Sequence, residues 1–179
     1  MRKLILVLLF ISLLINQAHS IMSSKESNIL SNIDKNPVCE NIQEKDIPTI
    51  LIPGILASWY SEEGYKETGN QVKRWIPDPI NHTYDTLIYS FKKNGYKIKD
   101  VFYQDEFTLS IDGTNPKGGL YVFGYDWKKD NKITATLLTQ LVGLILNDYE
   151  KENGCNIGKV NIVSHSMGGL VARAMLEDM

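Results

Sequence analysis

The chain has 179 residues, with 19 basic and 21 acidic side chains, three histidines and two cysteines, for a formal net charge of −2. That length supplies one hydrophobic core rather than two. Charge is nearly balanced and forms no basic stripe, which argues against nucleic acid as a partner; neither cysteine has metal-ligand spacing around it, so no metal and no other cofactor is expected.

Arg2 and Lys3 precede a run from Leu4 to Ile15 that is apolar except for Ser12, and Ala18-His19-Ser20 follows with small residues where a signal peptidase needs them. The run is shorter than the roughly 20 apolar residues that span a bilayer. Residues 1–20 are therefore expected to be a signal peptide, and the protein to be secreted or periplasmic. Ile21 to Asp46 is polar with scattered apolar residues and reads as a flexible leader. Export permits a disulfide between Cys39 and Cys155, although the spacing of two cysteines does not establish one.

Residues 47–179 read as one domain. Thr49-Ile50-Leu51-Ile52, stopped by Pro53-Gly54, is a strand buried on both faces. Tyr60 to Asn70 reads as a polar loop and Trp75 to Pro79 as a connector. Tyr84, Leu87, Ile88 and Phe91 form a helical stripe ended by Asn94-Gly95. Ile98 to Tyr103 reads as a strand, and Gln104 to Gly119, with Asp112-Gly113 and Asn115-Pro116, as an inserted hairpin or loop. Leu120 to Phe123 is a further strand. Ile133, Leu137, Leu138, Leu141, Val142, Ile145 and Tyr149 keep helical spacing up to Asn153-Gly154, Val160 to Val163 is the last strand, and Leu170 to Leu176 is a helix. Strands alternating with helices predict an α/β fold, a parallel sheet flanked by helices.

The last strand runs straight into Ser164-His165-Ser166-Met167-Gly168-Gly169. A serine hydroxyl becomes a useful nucleophile when a sharp strand-to-helix turn holds it clear of the sheet, beside a base and near donors for the oxyanion. Ser166 is the candidate nucleophile. Ser164 and Gly168 are the small residues that such a turn needs two positions to either side, serine standing where glycine is usual. Met167 opens the next helix, so its N–H is a candidate oxyanion donor. The second donor is expected from the turn after the first strand, with Ile55 as candidate and Leu56 as the alternative.

Three passages carry a resemblance to a known family: Pro48-Thr49-Ile50-Leu51-Ile52-Pro53-Gly54, Tyr125-Asp126-Trp127-Lys128, and Val163-Ser164-His165-Ser166-Met167-Gly168-Gly169-Leu170. The chain resembles the lipase and acyltransferase side of the α/β-hydrolases, most of all bacterial lipase-like relatives of the lecithin:cholesterol acyltransferase family. The second passage has lysine where that family has arginine. The resemblance implies an acyl ester or lipid substrate, transient contact with a lipid surface, and a structural role for Tyr125-Asp126-Trp127.

In that fold the acid and the histidine of the triad follow the serine. Here 13 residues follow Ser166 and none is histidine, while Glu177 and Asp178 lie on or just past the elbow helix. Upstream, His82 lies close to Asp85 and reads as a helix-capping or packing residue, and His165 as a buttress of the elbow. Asn81-His82-Thr83 also fits a glycosylation acceptor in a eukaryotic secretory route. The expectation is a partial α/β-hydrolase fold lacking the C-terminal strands, which carries the nucleophile and is inactive in this form. The alternative is a non-catalytic binding module on a degenerate version of the same fold.

Overall fold

The run Thr49-Ile50-Leu51-Ile52 forms β1 (Thr49–Ile52), and all four residues are buried. Such a strand needs cover on both faces and a neighbour on each side. Its neighbours are β7 (Gly119–Val122) and β8 (Asn161–Ser164), both parallel to it, with β4 (Lys97–Lys99) parallel beyond β7, in the order β4-β7-β1-β8. Thr49 pairs with Leu120 on one side and Asn161 on the other, and Ile52 pairs with Ser164. The computed structural model describes residues 37–64, 71–104, 107–111 and 116–177. The expected signal peptide and most of the expected leader lie outside them.

Side chains alternate across a strand, so β1 feeds two cores. Ile50 and Ile52, with Tyr121 and Phe123, pack against Leu138, Leu141 and Ile145 of α2 (Asn131–Asn153) and Val171 and Met175 of α3 (Met167–Glu177). Leu51 and Leu120 point the other way, onto Tyr84 and Ala57, with Ile88 and Phe91 of α1 (Asp85–Lys93) beside them. The result is the expected parallel sheet flanked by helices. The ends of α2 follow its sequence: the Asp130 side chain accepts from Lys132 N–H at 2.8 Å, and Gly154 takes the left-handed φ of 67° that closes the helix.

Between β1 and β7 the chain builds a second sheet that the sequence reading did not anticipate. The expected polar loop and connector are instead β2 (Ser58–Gly64) and β3 (Gln71–Pro77), an antiparallel hairpin in which Trp59 pairs with Ile76 and Tyr60 with Trp75. Residues 65–70 lie outside the described residues. The expected single strand from Ile98 to Tyr103 is divided: β4 stays in the parallel sheet, while β5 (Val101–Tyr103) joins β3 and β6 (Leu109–Ile111) in the order β2-β3-β5-β6. The break falls at Asp100, whose carboxylate is held by Arg74 at 3.2 Å. The expected insertion after Gln104 contains β6. Its Leu109 N–H donates to Gln140 Oε1 of α2 at 2.5 Å, while Gln140 Nε2 donates to the Phe107 carbonyl at 3.3 Å.

The described part of the polar leader is tied to the domain. Cys39 is disulfide-bonded to Cys155, Val38 bridges to Asn156, and Cys39 N–H donates to the Asn156 carbonyl at 3.0 Å. A small cluster of Ile47, Tyr149 and Ile157 packs beneath these contacts.

Candidate active site

β8 ends at Ser164, and α3 begins at Met167. Between them His165 N–H still donates to the Ile52 carbonyl at 3.0 Å, and Ser166 turns the chain with φ at 52°. For a non-glycine residue this conformation costs about 1–3 kcal/mol and persists only where surrounding contacts hold it. Gly168 N–H and Gly169 N–H supply them, donating to the carbonyls of His165 and Ser166, each at 2.9 Å. Gly168 slides under the end of β1: a Cβ there would stand 2.5 Å from the Ile52 carbonyl oxygen and 2.6 Å from that of Pro53. Smallness at Gly168 is thus demanded by β1. Ser164 is exposed, and its Oγ would be 3.7 Å from a Cβ on Gly169.

The turn after β1 comes to the same place. Ala57 N–H donates to the Gly54 carbonyl at 3.3 Å, closing a β-turn with Leu56 at φ 59°. A Cβ on Gly54 would lie 3.0 Å from Ser166 Cβ and 3.1 Å from His165 Nδ1, so any side chain there would press on the elbow. Ile55 and Leu56 sit at the tip, 53% and 58% exposed. Among the described residues neither the Ile55 N–H nor the Met167 N–H has a hydrogen-bond acceptor. Ser166, Met167, Gly168 and the turn carrying Ile55 are therefore brought together, with two free amides close to an exposed hydroxyl.

Neither described imidazole is paired with the serine. The His165 ring turns to Tyr84, whose hydroxyl lies 2.9 Å from Nδ1, and His82 Nδ1 lies 2.8 Å from Asp85 Oδ2 on the exposed start of α1. Among the described residues no histidine hydrogen-bonds the Ser166 hydroxyl. Glu177 is paired with Arg173 at 2.7 Å, and Asp178 lies outside the described residues.

Two tyrosines that sequence reasoning did not assign to the site shape it. Tyr84, read there as one residue of an apolar stripe, accepts from Gly54 N–H at 2.9 Å. Tyr125 donates to the Pro53 carbonyl at 2.9 Å. Burial, with Tyr84 close by, pushes the Tyr125 phenol up to about 12, so it stays a protonated donor. Tyr84 is delivered by a turn built on Asp78, whose carboxylate accepts from Ile80 N–H, Asn81 N–H and the Thr83 hydroxyl at 3.2, 3.0 and 2.5 Å. These bonds, Asn81 N–H and Thr83 foremost, hold the Asp78 carboxyl down at about 2. The signal for this turn was present in Asp78-Pro79-Ile80-Asn81-His82-Thr83, a string of side chains that bond nearby backbone. Asn81, of the glycosylation motif, is exposed there.

A cavity of about 330 Å³ lined by Lys45, Asp46, Lys97 and Lys117 lies at the opposite edge of the sheet, where β4 and β7 begin. It is separate from the elbow, which sits where β1 and β8 end.

The last part of the chain, residues 131–179, matches the family model described as PGAP1-like alpha/beta domain, an α/β-hydrolase-type family. That stretch holds α2, β8, the elbow and α3. The match points to an α/β-hydrolase-type family, without singling out the acyltransferase relatives that the motifs resemble. The chain is also similar to the Uncharacterized protein YJR098C of Saccharomyces cerevisiae, 39% identical over 64 residues, which make up 36% of this chain and 9% of that protein. The similarity thus spans less than a tenth of that relative's length. No solved structure matches the chain.

Proposed function

We propose that the chain carries the nucleophile of a serine hydrolase acting on acyl esters or lipids, as a lipase, esterase or O-acyltransferase. The observation that carries the reading is Ser166 at φ 52° between strand and helix, exposed, with Gly54 packed against its Cβ. In this reading Ser166 Oγ attacks the acyl carbonyl carbon while its proton passes to an imidazole outside the described residues. The Met167 and Ile55 amides receive the oxyanion. Collapse expels the alcohol, which takes the proton, and the acyl-serine is then released to water or to a second alcohol. One such amide is worth roughly 10²–10³ in rate. The half-exposed Ile55 and Leu56 beside the serine favour an apolar acyl chain and transient contact with a lipid surface. The Cys39–Cys155 disulfide supports export, to the periplasm or the cell exterior.

The engaged rings of His82 and His165 favour a second reading for residues 1–179 taken alone, a non-catalytic binding module on the same fold. Labelling with a fluorophosphonate separates the two. Residues 1–179 alone are expected to stay unlabelled. The longest product of the gene, if it supplies an acid and a histidine beyond Met179, is expected to label at Ser166 and to lose the label in Ser166→Ala. Failure of that longer product to label would leave the binding module as the better account.

A further inference from the structure

The peptide unit joining Pro53 to Gly54 is gripped at both ends by phenol hydroxyls. Its carbonyl oxygen accepts from Tyr125 and its N–H donates to Tyr84, each at 2.9 Å. The two rings come from opposite faces of the parallel sheet. Tyr125 packs in the core under α2 and α3, and Tyr84 in the core under α1. Both are buried, at 1% and 4% exposure. The Tyr84 oxygen makes a second contact, 2.9 Å from His165 Nδ1, with the two rings edge to face.

Counting protons decides how the grip works. A phenol has one proton to donate. Tyr84 accepts a hydrogen bond from Gly54 N–H, so its own proton is free to go to His165 Nδ1, an arrangement that puts the ring proton on Nε2. If the Pro53–Gly54 peptide turned over, a carbonyl would face Tyr84 and compete with His165 for that single proton. Tyr125 would at the same moment face an N–H in place of an acceptor. The grip therefore accepts one orientation of this peptide and opposes the other.

We propose that Tyr84 and Tyr125 are positioning residues that fix the Pro53–Gly54 peptide plane, and through it the direction of the Ile55 N–H relative to Ser166. Tyr84 also ties that plane to His165, the residue before the nucleophile, so the two halves of the oxyanion site keep one spacing. The catalytic consequence rests on the serine-hydrolase reading above; the grip itself does not.

The test uses the longest product of the gene with Tyr84→Phe, Tyr125→Phe and the double substitution. Phenylalanine keeps each ring in its core and removes only the hydroxyl. The first readout is independent of catalysis: amide hydrogen exchange at Gly54 and the nitrogen chemical shifts of the His165 ring. Tyr84→Phe is expected to speed Gly54 exchange about tenfold or more, and to replace the single Nε2–H tautomer of His165 with a mixture. The second readout is turnover of a short-chain ester. Each single variant is expected to lose about tenfold in kcat with KM unchanged. The double variant is expected to lose less than the product of the two, because either change frees the same peptide. Unchanged Gly54 exchange in Tyr84→Phe overturns the proposal, as does faster exchange with unchanged kcat in an active enzyme. A wild-type protein that turns over no ester overturns the hydrolase reading instead, and Gly54 exchange then decides the grip alone.

Discussion

Two glycines on neighbouring helices give opposite expectations for one substitution. In Gly168→Ala the new Cβ meets backbone atoms of the central strand, at 2.5 Å from the Ile52 oxygen and 2.6 Å from the Pro53 oxygen. Ordinary contact begins near 3.4 Å, so α3 or the end of β1 must give way by close to an ångström. Strain against two backbone oxygens belongs in the upper part of the roughly 1–3 kcal/mol range for overpacking, so alanine's helical advantage of about 1 kcal/mol offsets only part of it. Gly143 lies on the exposed side of α2 with nothing within 4 Å of its Cβ position. There the same substitution is expected to stabilise the fold by about 0.5–1 kcal/mol. At about 3 °C per kcal/mol for a domain of this size, thermal melts followed by circular dichroism should show Gly143→Ala rising by 1–3 °C and Gly168→Ala falling by several. In the longest product of the gene, fluorophosphonate labelling should fall with Gly168→Ala, which displaces Met167, and stay unchanged with Gly143→Ala. A Gly168→Ala protein as stable as the wild type would refute the argument that β1 presses on the elbow helix.

Two further expectations concern what holds the site's supports. The Cys39–Cys155 bond closes a loop with a sequence separation of 116, and the chain-entropy model makes such a crosslink worth about 4–5 kcal/mol; mild reductant, or Cys39→Ser with Cys155→Ser, should lower the melting temperature by about 10 °C or more. The depressed Asp78 carboxyl contributes stability that is complete above its ordinary value of 3.8 and is lost as pH falls toward about 2. Melts across that window should show the wild type losing stability more steeply than Asp78→Asn, which starts lower at neutral pH and changes less; parallel profiles would remove Asp78 as the anchor of the turn.

The parts of the fold that were legible in the sequence are those with fully buried faces. β1 was visible because Ile50, Leu51 and Ile52 all face apolar neighbours, and α2 because Leu137, Leu138, Leu141, Ile145 and Tyr149 form one buried stripe. The β2–β3 hairpin was not. Trp59 and Tyr60 remain nearly half exposed, and Arg74 to Pro77 are only partly buried, so no period-two contrast marks either strand. The division of β4 from β5 was hidden for a related reason. Lys97-Ile98-Lys99-Asp100-Val101-Phe102-Tyr103 has no Gly, Pro or Asn to mark a break, and the change of sheet falls at a lone Asp100, which pairs with Arg74 of another strand.

At the site the division is the same, and it bears on how the function is read. The elbow and the turn carrying Ile55 were legible because each is a local backbone device written in neighbouring residues. The grip of Tyr84 and Tyr125 was not, because Tyr84 reads as one residue of an apolar stripe, Tyr125 as part of a structural motif, and the peptide they share lies far from each in sequence. Among the described residues four non-glycines have positive φ, and three of them, Leu56, His82 and Ser166, belong to this one assembly. Leu56 shapes the turn, His82 stands two residues before Tyr84, and Ser166 is the elbow itself. Backbone strain gathered at one point must be held there by surrounding contacts. Tyr84, Tyr125, Gly168 and Asp78 supply those contacts, and all of them serve to hold an exposed serine beside two free amides.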